Sequence, residues 1–544
     1  MNTHEVFNQT PPFVDINLTM TDGPLRGALA ANGVDVDAAG LAAFGARWGT
    51  GHRLDLGRLA NENPPRLRSF DPTGQRIDRV EFHPAYHALM AASMEDGLHA
   101  STWDERIEGA PEPHAALARA ARLFVVSGVE AGHVCPLTMT NASVAALSAS
   151  PQRLAEWLPK IRSHNYDPRF IPFWEKTSVT LGMGMTEKQG GTDVRANTSR
   201  AIPVTGDEYA LTGHKWFMSA PMSDAFLMLA QAPGGLTCFL LPRFRPDGSL
   251  NALRLQRLKD KLGNRSNASA EVEFEGAFAW RIGEEGRGVA TSIKMVQLTR
   301  LDCAVSSAGL VRMGLALAHH HARHRSVFGK TLIDQPLMRS VLADVALESE
   351  AMTALAMRLA RSFDRTGDAQ EAAFARLITP AAKFGICKAA PRLLYELMEC
   401  HGGNGYVEES PLPRLYREAP VNAIWEGSGN VIALDILRLE SREPEAAAEV
   451  LTALMAGIEG LPGARDAAAA IIMALKSTEA EKQARFIADR IFALAAASAL
   501  AASAPPEVAE AWALTRLARR PDMIGANDLG PATETLLRRV FQPI

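Results

Sequence analysis

Between Leu181 and about Trp280 the pattern of apolar residues changes from helical to strand-like, and this change constrains the fold more than any other feature. Segments such as EYALTGHKWFMSA, LTCFLLPRF and SAEVEFEGAFAW are short and alternating or β-rich, and Gly, Pro and Asp-Gly turns separate them. The residues on both sides instead carry apolar side chains three and four positions apart. We therefore predict a β-domain inserted between two helical halves.

The segment before the β-domain is predicted to be mainly helical. It contains runs such as PAYHALMAASM and SPQRLAEWLPKIRS, which have helical apolar spacing. Residues 67–82, LRSFDPTGQRIDRVEF, precede these runs and are predicted to form a small surface excursion. We assign residues 1–180 to an N-terminal helical domain and residues 181–282 to the β-domain.

Helical spacing resumes after the β-domain. Long helices are predicted at about 301–318, 336–365 and 369–399, and after Asn430. Pro380 and Pro391 are expected to kink or break the third of these helices. Four helices suit a bundle, which we assign to residues 283–440. The Ala-rich tail, residues 441–544, is predicted to be an extra helical domain, and the fold class is therefore α+β.

Composition narrows the classes of function. The 544 residues include 57 Lys and Arg against 61 Asp and Glu, a net charge of -4, so any DNA-binding surface must be a local patch. Five cysteines without a CxxC pair indicate free thiols in a reducing compartment. The N-terminus MNTHEVFNQTPP lacks the features of a secretory signal, and the most apolar run, Ile491 to Ala504, is shorter than a spanning helix. We expect a cytoplasmic protein without a membrane segment.

Residues 422–430, NAIWEGSGN, carry the strongest candidate catalytic group. Glu426 stands between Trp425 and a Gly-Ser-Gly turn, just ahead of the periodic run VIALDILRLE. Ser428 could cap that helix, and the glycines let backbone amides approach a ligand closely. A carboxylate at such a turn is a candidate general base. The alternative is a Glu in a first helical turn that only complements the helix dipole.

Residues 182–194, GMGMTEKQGGTDV, form a second candidate element at the entrance of the β-domain. The loop offers backbone amides, the hydroxyls of Thr186 and Thr192, and the flexible pair Gly190-Gly191. Such a loop can edge a flat heteroaromatic ring and hydrogen-bond it with main-chain groups. A simple glycine-rich turn between helix and strand is the alternative.

Five motifs together resemble those of the acyl-CoA dehydrogenase family, in the family's order. TEKQGGTD resembles the family's flavin signature, and KWFMS (215–219) resembles its K-x-W-I-T strand. RSVFGK (325–330) is similar to the family's R-x-x-F-G-K loop, and GGNGY (402–406) is similar to its adenosine-side turn. IWEGSGN (424–430) resembles the segment that carries the catalytic base. The resemblance implies an N-terminal helical domain, a central β-barrel or sandwich and a C-terminal four-helix bundle.

The same resemblance implies FAD as the cofactor and an acyl-CoA thioester as the substrate. Glu426 would remove the α-proton while a hydride leaves the β-carbon for the flavin. In relatives, the loop that corresponds to RSVFGK reaches the FAD of a neighbouring subunit, and its Arg binds the pyrophosphate. Residues expected to contact FAD are Met183, Met185, Thr186, Gly191, Thr192, Phe217, Met218, Ser219, Arg325, Phe328, Gly402, Gly403, Ser428 and Asn430. The alternative for the methionines is packing in a hydrophobic core, and the alternative for Ser428 and Asn430 is capping of the helix that follows them.

One branch of the family, the adaptive-response flavoproteins, is more similar still. The shared stretches are LGRLANENPP (56–65), RLKDKLGNRSNASAEVEFE (257–275) and LPRLYREAPVNAIWEGSGN (412–430), and the tail after the bundle is shared as well. This resemblance implies a homotetramer with weak isovaleryl-CoA-like dehydrogenase activity. It also implies binding of double-stranded DNA through the C-terminal domain and a role in defence against DNA alkylation.

The residues expected to bind DNA are arginines near the C-terminus: Arg516, Arg519, Arg520, Arg538 and Arg539. The tail carries 11 Lys and Arg against 13 Asp and Glu, so it is not basic as a whole, although a tetramer would multiply a modest patch. A solvated helix face explains these arginines almost as well. The alternative function is a metabolic short- or branched-chain acyl-CoA dehydrogenase with no DNA binding.

The run HHHARH (319–324) raises the question of a metal site. His320 and His324 share a helix face, but no carboxylate or Cys ligand lies at a suitable spacing. Histidines at a helix end commonly favour the negative C-terminus. No metal site is predicted.

Overall fold

The computed structural model describes residues 3–37, 39–104, 114–519 and 523–542. The chain divides into two compact units. The helical unit consists of residues 1–54, 112–129 and 300–544, and the sheet unit consists of residues 55–111 and 130–299.

The elements follow the chain in order. The helices are α1 Gly23–Ala31, α2 Leu41–Trp48, α3 Gly51–Glu62, α4 Pro84–Glu95, α5 Ala115–Val129, α6 Val134–Leu147, α7 Pro151–Ile161, α8 Gly288–His324, α9 Pro336–Asp364, α10 Ala369–Glu399, α11 Pro411–Asn422, α12 Gly429–Arg442, α13 Pro444–Met455, α14 Ala464–Leu475, α15 Ala484–Ser503, α16 Pro506–Trp512 and α17 Ala532–Val540. The strands are β1 Arg66–Phe70, β2 Arg76–Glu81, β3 Leu181–Gly184, β4 Arg200–Thr205, β5 Glu208–Ser219, β6 Ala225–Ala232, β7 Gly235–Pro242, β8 Leu253–Leu258, β9 Ser269–Ile282, β10 Ser326–Val327 and β11 Lys330–Thr331.

The sheet unit contains a closed β-barrel. Strands β6, β4, β5, β9 and β7 pair in that order, and β7 pairs back onto β6. β3 adds to β6 in parallel, and β8 adds to β9. The β-domain predicted from the alternating segments is confirmed, and the ring of pairings identifies it as a barrel.

Strand β6 is buried on both faces. Phe226 and Met228 pack inside the barrel, whereas Leu227 and Leu229 belong to a second core cluster that includes Trp157 of α7. A strand covered on both sides has no solvent face to carry polar residues. This explains why the segment AFLMLAQA is an almost continuous apolar run.

The helical unit is built around α10. This helix packs against α9, α11, α12 and α15, and α15 also packs against α9 and α12. The approach of α10 to α15 is so close that a Cβ added at Gly385 would lie 2.1 Å from Cγ of Phe492. The tail helix α15 therefore shares one core with the helices that precede it.

Two local features sharpen the expectations from the sequence. Of the kink or break expected at Pro380 and Pro391, the break does not occur, because the helices packed around α10 hold it in place. The excursion at residues 67–82 contains the hairpin β1–β2. Its turn is closed by the Asp71 carboxylate, which accepts hydrogen bonds from the backbone N–H groups of Thr73 and Gln75.

Helices α8 and α15 are long and apolar enough to cross a membrane. In the most apolar window of each helix, 94% and 67% of the residues are buried within the fold. Their apolar side chains are therefore used in core packing.

Candidate active site

Glu426 lies on the turn between α11 and α12, and its backbone is left-handed with a φ of 58°. This conformation costs a non-glycine residue about 1–2 kcal/mol. Its side chain is half-buried. Contacts from the surrounding helices must therefore hold the turn in place.

Three successive carbonyl groups of this turn accept hydrogen bonds from two cations. Lys383 Nζ donates to the carbonyl oxygen of Trp425 at 2.8 Å and also to that of Gly427. Arg300 Nε donates to the carbonyl oxygen of Glu426 at 2.9 Å. Lys383 is only 1% exposed, so these bonds form away from water, where they are stronger. The two cations fix the backbone that carries the Glu426 carboxylate.

Further contacts anchor this arrangement. Arg300 Nη1 lies 2.8 Å from the Asp435 carboxylate on α12. Trp425 Nε1 donates to the side-chain oxygen of Asn422 at 3.0 Å, and Asn422 Nδ2 donates to Ser307 Oγ at 3.0 Å. The turn is thus held by polar groups from both the helix before it and the helix after it.

The sequence analysis missed both cations. Lys383 is the only charge in the apolar helical run ITPAAKFGI, whereas Arg300 is followed by Asp302 in QLTRLDCAV. A single charge among apolar residues is expensive to bury without a partner, so the available signal concerned Lys383 alone.

Two buried cysteines of the helical unit, Cys303 and Cys387, are not candidate nucleophiles. Burial raises the pKa of the Cys303 thiol well above its usual value; Lys383 opposes this rise and Glu426 adds to it. Burial likewise raises the pKa of Cys387. Both thiols are therefore protonated at neutral pH and are poor nucleophiles.

Ser428 and Asn430 follow the base on the same turn. Ser428 occupies the N-cap position of α12, but its side chain makes no capping hydrogen bond within the described residues. The side-chain oxygen of Asn430 accepts a hydrogen bond of 2.9 Å from Arg485 Nη1 of the tail. The capping role open to the Ser428 hydroxyl is therefore not used, and flavin contact stays a prediction for both residues.

In the sheet unit, a buried ion pair joins two of the motifs. Glu187 Oε1 of the TEKQGGTD loop lies 2.8 Å from Lys215 Nζ of the KWFMS strand. Burial alone would raise the pKa of Glu187, but Lys215 and hydrogen bonds from Ser199 and Thr198 outweigh it and hold the pKa at about 2. The backbone N–H of Trp216 also donates to the carbonyl oxygen of Thr186 at 2.8 Å. The loop and the strand therefore form one rigid surface.

The side chains of β5 alternate across that surface. Phe217 is 50% exposed and Ser219 is half-buried, whereas Met218 between them is 0% exposed inside the barrel core. For Met218 the core role that the sequence left open is the one observed. Met183 and Met185 are half-buried and pack on the edge of the second core cluster.

These residues fit a flat cofactor. A half-exposed aromatic ring offers a stacking face, and the hydroxyls of Ser219 and Thr186 offer hydrogen-bonding groups on the same unit. Gly191 and Thr192 are exposed farther along the loop. The combination suits a flat, partly polar ring such as the isoalloxazine of FAD.

The remaining predicted cofactor residues lie on two exposed turns of the helical unit. Phe328 forms the tip of the hairpin β10–β11 with a φ of 51° and is 98% exposed. Arg325, at the base of that hairpin, donates from Nη1 to the carbonyl oxygen of Asn8 at 2.6 Å. Gly402 and Gly403 are exposed. These positions are compatible with contacts to a molecule outside this chain.

The histidines of the run HHHARH (319–324) make contacts within the fold. Burial, with smaller effects of His401, Arg325 and the neighbouring histidines, lowers the pKa of His321 to about 4, and its ring stacks on His401 at a centroid distance of 4.4 Å. His320 Nε2 lies 2.9 Å from the carbonyl oxygen of Pro11. The described residues contain no group of three side chains placed to hold a metal ion.

The C-terminal arginines do not form one exposed set. Arg516 is buried and lies 2.7 Å from Asp344 and 3.0 Å from Glu348 on α9. Arg539 Nη2 lies 2.6 Å from Glu350 on the same helix. The prediction of DNA contact is therefore wrong for the buried Arg516, whose guanidinium group is occupied by two carboxylates, whereas for the half-buried Arg539, paired with Glu350, it stays a prediction.

The other three arginines differ in their surroundings. Arg538 is 71% exposed and lies 3.9 Å from Glu534. Arg519 is exposed. Arg520 lies outside the described residues. Arg519 and Arg538 are thus the described members of the set whose side chains are exposed.

Three domain families match the chain. Residues 8–168 match the adaptive response protein AidB N-terminal domain, residues 182–277 match the acyl-CoA dehydrogenase middle domain, and residues 286–439 match the acyl-CoA dehydrogenase C-terminal domain.

The putative acyl-CoA dehydrogenase AidB of Escherichia coli strain K12 is 47% identical over 519 residues, which are 95% of each chain. Among solved structures, the Bd2924 apo-form has a TM-score of 0.82 at 30% identity and covers 91% of this chain and 99% of its own. Caenorhabditis elegans ACDH-11, solved in complex with C11-CoA, has a TM-score of 0.79 at 27% identity and covers 99% of this chain and 95% of its own.

Proposed function

Because this chain is an FAD-dependent oxidoreductase of the acyl-CoA dehydrogenase family and belongs to its AidB branch, we propose that it oxidises short or branched acyl-CoA thioesters at a low rate. One observation carries the proposal. Glu426 sits on a left-handed turn whose carbonyl groups are bound by Lys383 and Arg300. A carboxylate fixed in this way is suited to remove one particular proton.

Glu426 accepts the α-proton of the thioester. The backbone N–H of the same residue donates to the thioester carbonyl oxygen, which stabilises the negative charge that develops as the proton leaves. Lys383 and Arg300 keep the N–H and the carboxylate in a fixed relation during this transfer. The substrate loses one proton to Glu426 and one hydride from its β-carbon, and the product is the α,β-unsaturated thioester.

FAD, when bound, would supply the acceptor for the hydride of the β-carbon. Phe217, Ser219 and Thr186 would hold its ring on the sheet unit. We propose that the chain forms a homotetramer in which the hairpin carrying Arg325 and Phe328 reaches the cofactor of a neighbouring copy. The exposed tip at Phe328 supports this assignment.

The test is an anaerobic titration of the FAD-loaded protein with isovaleryl-CoA and, in parallel, with C11-CoA. We expect the flavin absorbance to bleach with at least one thioester, and mass spectrometry to show a product lighter by two hydrogen atoms. Comparison of the two thioesters decides between a branched and a longer straight acyl chain. Absence of bleaching with both would reject the dehydrogenase activity.

A second function is proposed for residues 441–544: binding of double-stranded DNA in the cytoplasm as part of the response to DNA alkylation. The similarity to AidB over 95% of the chain supports it, as does the exposure of Arg519 and Arg538. Binding that depends on phosphate contacts weakens steeply as salt rises. A binding constant for duplex DNA that does not change between low and physiological salt would contradict the proposal.

The competing possibility is a metabolic short- or branched-chain acyl-CoA dehydrogenase without DNA binding. Arg516 favours it, because its side chain serves the fold rather than a ligand. Assays of turnover and of DNA binding distinguish the two possibilities. Rapid turnover of a thioester with no retention of duplex DNA identifies the metabolic enzyme.

A further inference from the structure

A cavity of about 480 Å³ lies in the sheet unit, against the hairpin β1–β2. We refer to it as the hairpin cavity. Its walls come from β2, from α4 at His87, from the segment 166–171 and from Arg243 after β7. The predicted flavin residues Thr186, Phe217 and Ser219 do not line it. Its volume lies in the range of small-molecule sites, about 300–1,000 Å³.

Every carboxylate that lines the hairpin cavity already has a cationic partner. The pairs are Asp78 with Arg76 at 2.8 Å, Glu81 with Arg68 at 3.5 Å, Asp167 with Arg169 at 2.7 Å and Asp224 with Lys176 at 2.8 Å. The negative charge of the walls is therefore neutralised by the protein itself.

Two cations of the walls have no such carboxylate partner among the described residues: Arg79 at the exposed rim and Arg243 in the buried interior. Arg243 Nε donates to the carbonyl oxygen of Ser223 at 3.0 Å, whereas its Nη2 is buried without a hydrogen-bond partner in the described part of the chain. Burial lowers the pKa of Arg243 to about 10 against the opposing effects of Asp224 and Asp78, so the group is charged at neutral pH. Within the residues that the structure describes, the lining side chains are four cations and four carboxylates, but two of the carboxylates, Glu81 and Asp78, are paired with Arg68 and Arg76 outside the lining, which leaves Arg79 and Arg243 as unpaired positive groups of the walls.

The other walls are apolar or neutral. Phe82 and Phe170 line the cavity, and the ring of Phe170 lies 5.4 Å from the guanidinium carbon of Arg243. Tyr166 Oη lies 3.0 Å from His87 Nδ1. Burial lowers the pKa of His87 and raises that of Tyr166, so neither side chain carries a charge at neutral pH.

We propose that the hairpin cavity binds a small aromatic carboxylate. The planar guanidinium fork of Arg243 matches a carboxylate, and an aromatic body suits walls that contain Phe82 and Phe170. Arg79 adds attraction at the rim. Thr186, Phe217 and Ser219, the residues of the same unit that are assigned to the flavin, do not line the cavity, so an aromatic carboxylate should bind without displacing the cofactor.

The probe is benzoate, with benzamide as the matched ligand of equal shape and no charge. Isothermal titration of the full-length, FAD-loaded protein should show saturable binding of benzoate, and benzamide should bind at least about tenfold more weakly because it lacks the charge-assisted hydrogen bonds. The flavin spectrum should not change on binding. Absence of saturable benzoate binding up to about 10 mM, which corresponds to a very weak complex, overturns the proposal.

Two substitutions locate the site. Arg243→Gln should abolish benzoate binding, and Arg79→Gln at the exposed rim should weaken it about threefold or more without a risk to folding. Arg254→Gln on β8 removes one exposed arginine outside the cavity and should leave the affinity unchanged. Unchanged affinity in Arg79→Gln and Arg243→Gln would assign benzoate to another site and overturn the proposal.

Discussion

Lys383 Nζ lies 2.8 Å from the carbonyl oxygen of Trp425, the residue immediately before Glu426, and the same ammonium group also binds the carbonyl oxygen of Gly427. One buried cation therefore holds the backbone on both sides of the candidate base. Without it, two partly buried carbonyl groups would lose their donor and the left-handed turn would be free to relax.

Lys383→Met should lower the rate of flavin reduction by about 10- to 100-fold, because loss of the turn geometry misplaces the carboxylate. FAD content should stay unchanged, and the effect should fall on the maximal rate more than on the thioester concentration for half-maximal rate. Stopped-flow bleaching measures both. Arg376→Met, which removes an exposed cation of the same helix, is the control and should keep the normal rate. An equal rate in both variants would remove Lys383 from this role.

Glu187→Gln should lower the free energy of unfolding and should also make that free energy less sensitive to acidic pH. The pKa of Glu187 is about 2 in the folded protein, below its usual value of 4.5, so its stabilising contribution is complete above pH 4.5 and is lost as pH falls toward 2. A shift of this size corresponds to about 3 kcal/mol of unfolding free energy.

Urea unfolding at pH 7, 4 and 3 checks this expectation. The wild-type protein should lose stability on acidification more steeply than Glu187→Gln. Glu275→Gln, which removes an exposed carboxylate of the same barrel, should follow the wild type. Parallel acid dependence in Glu187→Gln and the wild type would show that the ion pair with Lys215 does not set it.

Arg516→Met should destabilise the helical unit by about 3–5 kcal/mol, because it leaves Asp344 and Glu348 buried without their cation. Arg538→Met should change the unfolding free energy by less than about 0.5 kcal/mol, since its side chain is exposed. Thermal or urea unfolding compares the two. Similar small effects would mean that the buried network on α9 contributes little.

Arg519→Gln combined with Arg538→Gln should weaken duplex DNA binding and lower the slope of log affinity against log salt by about 1–2. Point substitutions are preferable to removal of residues 441–544, because α15 packs on α9, α10 and α12. Electrophoretic or fluorescence titrations at several salt concentrations provide the measurement. An unchanged slope would place the DNA contacts elsewhere or exclude them.

Local sequence patterns were sufficient for the architecture. Strands β3 to β9 fall within the residues assigned to the β-domain, because alternation and turn residues are properties of neighbouring positions. The helical bundle followed from apolar spacing for the same reason. The closure of the barrel through β6 and β7, in contrast, depends on pairing between strands and could not be derived from one strand at a time.

Long-range partners could not be predicted. Arg516 and Arg538 look alike in sequence, yet only the first is buried, because its partners Asp344 and Glu348 lie far away along the chain. The same limit hid the contact of Arg300 with Glu426. Local motifs point to candidate residues such as Glu426, whereas the side chains that hold these residues in place lie too far along the chain to be recognised from a local pattern.

The central claim is that the Glu426 carboxylate takes the α-proton of an acyl-CoA thioester. The most direct measurement is anaerobic bleaching of FAD-loaded Glu426→Gln by the thioester that bleaches the wild-type protein fastest. We predict that the variant binds FAD normally and that its bleaching rate falls by at least about 10³-fold, because the amide cannot accept the proton. Bleaching at the wild-type rate in a fully FAD-loaded Glu426→Gln protein would contradict the account.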